Sequence, residues 1–230
     1  MALYAIGDLH LCLGAPKPMD VFGGAWVGYM DKLKEGFSVI TDADTTVLLG
    51  DLSWANDLEE AKADFAWMNE YILGRKIILK GNHDYWWNTV KKFNNFCAEN
   101  GFDNFHILHN NHFEYEKMAI CGTRGWFFEE ERSGEHDEKV FKRELLRLEA
   151  SLRAAGEREK LVFLHYPPRY RGYTCGEILD LLKKYEVRSC YYGHLHGISH
   201  GLAQEGQWDG TNFKLLSADK LNFVPYCVIP

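Results

Sequence analysis

Residues 77–84 read Ile77-Ile78-Leu79-Lys80-Gly81-Asn82-His83-Asp84. An apolar run breaks off into a glycine and then into side chains that bind metals, offer an amide or carry a proton. Short continuous apolar runs fit strands covered on both faces. A glycine just past such a run marks a tight turn or a close approach of the backbone. Ligands of open α/β sheets gather beyond the carboxyl ends of strands. This stretch therefore predicts both a buried strand and a functional position at its end.

The pattern recurs on either side. The run at 3–6 ends in Gly7-Asp8-Leu9-His10, and that at 47–49 ends in Gly50-Asp51. Farther on, 161–164 leads into His165, and 189–192 into Gly193-His194-Leu195-His196. One more short run lies at 118–121. Between the runs lie helical patterns. Leu58, Ala61, Phe65, Met68 and Ile72 recur at helical spacing, with Asn56 or Asp57 as cap and Glu59 or Glu60 behind it. Segments 140–152 and 178–185 are amphipathic in the same way. Alternation of strand and helix predicts an α/β layered fold. Past Gly201 the order weakens, and 213–216 and 224–229 read as late, antiparallel strands. Residues 125–137, with Glu129-Glu130-Glu131 and Ser133-Gly134, read as an exposed loop.

Composition sets the frame. The chain has 230 residues, 46% hydrophobic and 26% charged, with a net charge of −7. This excludes a disordered or low-complexity chain. With no repeat or linker, residues 1–230 are expected to form a single domain. No apolar stretch approaches the roughly 20 residues of a membrane helix. The N-terminus lacks the basic lead of a signal peptide. The 6 cysteines form no CxxC pair and read as reduced thiols of a cytoplasmic protein. The acidic balance argues against nucleic acid as a partner.

Asp8, His10, Asp51, Asn82, His165, His194 and His196 offer hard oxygen and imidazole donors without a thiolate. That mixture suits Mn, Fe or Zn and disfavours an all-oxygen calcium site. The set exceeds what one tetrahedral ion needs and suits two. A pair of ions about 3.5–4 Å apart activates water and clamps the oxygens of an in-line displacement, so phosphate esters are the expected substrates. For these histidines the ordered motif set outweighs a reading as packing groups; His106, His109, His112, His136 and His200 match no motif and read as surface or packing residues. Tyr85-Trp86-Trp87 fits a pocket mouth or core packing equally well. Arg124 is the leading candidate for a phosphate or carboxylate contact.

The ordered set Asp8-x-His10, Gly50-Asp51, Gly81-Asn82-His83-Asp84, His165 and Gly193-His194-x-His196 resembles the calcineurin-like metallophosphoesterase superfamily. The resemblance implies a four-layer α/β/β/α sandwich with two mixed β-sheets and a dinuclear metal site at the strand C-terminal ends. It implies that Asp8, His10 and His196 hold one divalent ion, that Asn82, His165 and His194 hold the other, and that Asp51 bridges them. His83 would face the scissile phosphate as electrostatic partner or general acid, with Asp84 orienting it through the other ring nitrogen. A metal-bound hydroxide would cleave a small phosphomono- or phosphodiester with no covalent intermediate. The protein phosphatases of this superfamily continue the second motif as GDxVDRG. Here the text is Gly50-Asp51-Leu52-Ser53-Trp54-Ala55-Asn56, without the arginine, which argues against a protein phosphatase. The alternatives are a nuclease of the same superfamily and a catalytically silent scaffold.

Overall fold

The structure, a computed structural model, describes residues 1–126 and 135–230, with side chains of all of these except 135 and 136. The acidic run Glu129-Glu130-Glu131 and Ser133-Gly134 lie outside the described residues. The chain forms two compact units, Met1–Ile107 with Leu216–Pro230, and Leu108–Leu215.

The first unit runs β1 (Leu3–Ile6), α1 (Tyr29–Phe37), β2 (Thr45–Leu48), α2 (Leu58–Tyr71), β3 (Arg75–Ile78), α3 (Val90–Asn100) and β4 (Phe105–Ile107). The second continues with β5 (Phe113–Tyr115), β6 (Met118–Thr123), α4 (Glu135–Ala154), β7 (Glu159–Leu164), β8 (Arg169–Tyr170), β9 (Tyr173–Thr174), α5 (Gly176–Lys184), β10 (Ser189–Tyr192), β11 (Gly206–Trp208) and β12 (Thr211–Leu215). The chain then returns to the first unit as β13 (Tyr226–Ile229). Helix α4 starts inside the stretch expected to be a loop. Among the described residues no helix is long and apolar enough to cross a membrane.

Each unit is built on one mixed sheet. In the first the order is β13-β1-β2-β3-β4, parallel except for β13. Ile6 pairs with Leu48, Leu48 with Ile78, and Ile78 with Ile107. Parallel strands in level register release their following residues at one edge, so the segments after Ile6, Leu48 and Ile78 leave together. In the second unit the order is β11-β12-β10-β7-β6-β5. Thr123, Leu164, Tyr192 and Leu215 are level there, so Arg124, His165 and Gly193 emerge side by side. The late strand β12 runs parallel to β10, not antiparallel as expected; only its other neighbour, β11, is antiparallel.

Helix α2 starts where its sequence signals. The Asp57 carboxylate accepts from the amides of Glu59 and Glu60, and Glu60 reaches back to the amide of Asn56, a reciprocal cap. Its Phe65 lies edge-on to Trp86, Phe93, Phe96 and Phe105 at 5.0–5.6 Å, inside the first unit's apolar core. A second cluster, including Leu148, Val162, Leu164, Ile178, Tyr192 and Leu215, fills the other unit.

One core position carries a charge. Lys76, on β3, is fully buried. Its Nζ donates to Gly74 O at 3.0 Å and lies over the Phe105 ring. Burial pushes its ammonium down to about 8, against a partial pull from Asp42. Below that pH the folded state carries a desolvated charge that the unfolded chain keeps in water. Between about 8 and the ordinary lysine value the folded state has lost the proton and the unfolded state retains it, so stability rises with pH there, by about 3 kcal/mol in all. Lys76→Met is expected to stabilise the protein by about 2 kcal/mol at pH 7, the rest being offset by the lost bond to Gly74. Urea denaturation of both proteins from pH 7 to 10 checks this: titrations common to the two cancel in the difference, and the variant's advantage over the wild type shrinks as pH rises past about 8.

Candidate metal centre

The loops after β1 and β2 prolong the sheet's pairing beyond the strands. Asp8 N donates to Gly50 O, His10 N to Asp51 O and Leu11 N to Leu52 O, each at 2.9 Å. Asp8, His10 and Asp51 have φ of 61°, 49° and 50°. Non-glycine residues adopt this left-handed region at a cost, and such strain gathers at functional positions. The reversals flank Leu9, which is fully buried. The chain thus turns apolar side chains into the core while its polar ones stay at the sheet edge.

The loop after β3 lies against that after β2. A Cβ at Gly81 would fall 2.0 Å from Asp51 Oδ1, and one at Gly50 would fall 2.5 Å from Gly81 N. Both glycines are there because no side chain fits. Asp51 divides its oxygens: Oδ1 accepts from His83 N at 2.8 Å, and Oδ2 faces His10 Nε2 at 4.0 Å. That separation is too long for a hydrogen bond and lies within a few tenths of an ångström of the roughly 3.3–3.6 Å between two ligands of a tetrahedral ion. Both side chains are almost fully buried. A buried carboxylate oxygen and an imidazole nitrogen at this spacing fit a shared cation, so the residues present suit a metal.

The Asp84 carboxylate, expected to orient the His83 ring, is fully buried and gathers N–H donors from two loops. Oδ2 accepts from Asp51 N at 2.8 Å and Gly81 N at 2.7 Å. Oδ1 accepts from Leu52 N and Trp86 Nε1, both at 2.9 Å, with Ser53 N at 3.4 Å. It ties the loops after β2 and β3 together. Burial and the neighbouring Asp51 charge push its carboxyl up to about 6, against the pull of the Gly81 and Leu52 amides and the Trp86 indole. The nearby hydroxyl on His83 Nδ1 belongs to the exposed Tyr85, at 3.4 Å. Of the aromatic triplet, Trp86 is core, while Tyr85 stays at the surface, where it can border a site.

Sequence reasoning missed Trp54. Its ring stacks on His10 with centroids 4.9 Å apart and planes at 23°, and lies 4.5 Å from the His83 ring. Trp26 meets His10 edge-on at 5.8 Å, and Tyr29 Oη donates to His10 O at 2.9 Å. Nothing in the motif text marks these aromatics: Trp54 follows β2, while Trp26 and Tyr29 lie just before and at the start of α1.

The second unit has a comparable ladder. His165 N and Tyr166 N both donate to Arg124 O, at 3.1 and 2.9 Å, and Gly193 N donates to His165 O at 3.1 Å. His165 is fully buried, and its ring centroid lies 5.2 Å from that of His194. His194 again has a left-handed φ, of 74°, and the Tyr166 ring lies 4.5 Å from it. His196 stands at the N-cap position of the short 3-10 turn Gly197–Leu202, without a capping bond from its side chain. Arg124 is turned partly inward: Nη2 lies 3.8 Å from Glu144 Oε1, and the guanidinium lies over Trp126. In the first unit Asn82 is half-buried beside His83. His106, outside the motifs, lies on β4, where burial and the charges of Arg75 and Lys76 hold its imidazole below the ordinary value.

A model of the calcineurin-like phosphoesterase family matches residues 1–197. No curated protein matches the chain. Solved structures with the same fold include the following two. One is TT1561 of Thermus thermophilus, with a TM-score of 0.55 at 17% identity, covering 92% of this chain and 86% of that one. The other is AQ665 from Aquifex aeolicus, a protein of unknown function, with a TM-score of 0.51 at 14% identity, covering 97% of this chain and 94% of that one.

Proposed function

The chain belongs to the calcineurin-like phosphoesterase family, a family of metal-dependent phosphoester hydrolases, and from that premise we propose that it cleaves small phosphomono- or phosphodiesters at a centre of two divalent ions, Mn, Fe or Zn. In this reading Asp8, His10 and His196 hold one ion, Asn82, His165 and His194 the other, and Asp51 touches both. When bound, such ions supply charge neutralisation and a water made acidic enough to attack at neutral pH. The rest falls to the protein. Asp51 is aimed by the His83 amide on one oxygen, while the other faces His10. His83, with its ring against Trp54, places a proton or positive charge at the departing oxygen. The hydroxyl of Tyr85 is the group at hand to fix its ring. Arg124, with one nitrogen held near Glu144, keeps the rest of its fork for a phosphate oxygen. The observation that carries this reading is the Asp51–His10 pair, buried and spaced for a shared cation.

Two further parts of the proposal rest on other observations. The single-domain reading of residues 1–230 is supported by a first unit that the chain leaves at Ile107 and rejoins at Leu216. The cytoplasmic reading is supported by the 6 cysteines, all free thiols; burial raises the thiols of Cys97, Cys121, Cys175 and Cys190 out of the reactive range.

Stripping the protein with a chelator is expected to abolish hydrolysis of an aryl phosphate ester, and Mn²⁺ to restore it. His83→Ala is expected to keep both ions, counted by elemental analysis, while kcat falls about 10²–10⁴-fold, the range of a lost general acid. Chelator-resistant hydrolysis would refute the metal reading. Undiminished turnover in His83→Ala would remove that residue from the chemistry.

A further inference from the structure

Asp64 lies outside every motif above. It sits on the inward stripe of α2 with Ala61, Phe65 and Met68, and its side chain is fully buried. A carboxylate on an apolar stripe must find donors or be strongly destabilising. Its donors come from two loops. Oδ1 accepts from Leu13 N at 2.7 Å, and the Gly14 amide also bonds the carboxylate. Oδ2 accepts from Ser53 Oγ, whose own lone pair takes Ala55 N at 3.1 Å. Leu13 and Gly14 continue the loop of His10. Ser53 lies between Asp51 and Trp54, the ring on which His10 stacks. At Gly14 the first loop presses so close to α2 that a Cβ would fall 1.8 Å from Glu60 O.

We propose that Asp64 is a positioning residue for the metal centre: it clamps the loops of His10 and Asp51 to α2 and so sets the Trp54 ring that orients His10 and His83. The clamp occupies the stretch where this chain departs from the phosphatase motif, with Ser53 as its anchor. This inference rests on the metal-binding reading above. It concerns only how the first unit's ligands are held, and substitution of an outer partner of a metal ligand typically costs 10–100-fold in metal affinity.

The test is Mn²⁺ affinity by isothermal titration on the metal-stripped protein, read beside thermal denaturation. Asp64→Ala is expected to weaken binding 10–100-fold. Asp64→Asn is expected to stay within about threefold of wild type, because its oxygen still accepts from Leu13 and its amide can donate to the Ser53 hydroxyl. Asp44 provides the control. It is another buried carboxylate, holding Ala2 N, Thr41 N and Thr41 Oγ1, with no bond to a motif loop. Asp44→Ala is expected to lower stability and leave Mn²⁺ affinity unchanged. Should Asp64→Ala not fold, Ser53→Ala removes the same link and is expected to weaken binding in the same direction. Unchanged affinity in Asp64→Ala or, in its place, Ser53→Ala overturns the proposal, as does an equal loss in Asp44→Ala or failure of Asp64→Asn to rescue. A wild-type protein that binds no Mn²⁺ refutes the metal-binding reading itself, a distinct outcome.

Discussion

Asp51→Asn is expected to yield a folded protein that holds neither ion and hydrolyses phosphoesters at least about 10³-fold more slowly than wild type. Its φ of 50° is one that asparagine tolerates better than any residue but glycine. The amide oxygen can still accept from His83 N, the bond that Oδ1 makes at 2.8 Å. The backbone therefore has no reason to move. What disappears is the negative charge facing His10 Nε2, and with it the carboxylate proposed to touch both ions. Loss of metal removes several kcal/mol of transition-state stabilisation, at a decade of rate for each 1.36 kcal/mol. Elemental analysis after gel filtration, beside circular dichroism to confirm folding, makes the measurement. Two ions retained by a folded Asp51→Asn protein would defeat the bridging role.

The other large effect is on stability. Asp84→Ala is expected to lower the melting temperature of the metal-free protein by about 10–15 °C. The side chain removed accepts four close N–H bonds and a fifth at 3.4 Å, all fully buried. Each donor left unmatched costs about 1–3 kcal/mol, and breaking a buried charged network costs about 3–5 kcal/mol. A protein of this size loses about 2–4 °C per kcal/mol. Differential scanning calorimetry on Asp84→Ala and His83→Ala decides what Asp84 does. As the knot between two loops it makes its variant far less stable than His83→Ala. As a mere orienter of His83, it would make the two variants melt alike.

How much of this was legible depended on the kind of signal. Strands β1, β2, β3, β7 and β10 lie inside their sheets and are mostly buried, so each carries a short apolar run toward its carboxyl end. The strands β4, β5 and β11 lie at sheet edges and are three residues long; β11 is wholly exposed and carries no apolar signature. Helix α1 offers Tyr29, Leu33 and Phe37, one apolar residue per turn, and α3 mixes Phe93 and Phe96 with Asn94 and Asn95, which blurs its period. The direction of β12 was misread because a hydrophobic pattern says nothing about parallel or antiparallel pairing. The placement of Asp8, His10 and Asp51 at one sheet edge was legible, since strand ends in α/β sheets are where such residues act. The duty of Asp84 was not. Adjacency to His83 in the text suggests service to that ring, whereas the folded loop gives the carboxylate a crowd of N–H donors from two loops. Asp64 did leave a trace, as a lone acid on the buried stripe of α2, but its partners on two distant loops could only be seen in space.

The left-handed backbone at Asp8, His10, Asp51 and His194 bears on any effort to evolve this protein in the laboratory. Glycine is the residue such conformations favour, and here they are given to side chains proposed as metal ligands instead. Selection for heat tolerance alone would drift toward glycine at these sites and harvest sturdier, inert variants, the familiar trade between durability and activity. A screen that scores turnover alongside survival is what would keep the four donors in the lineage.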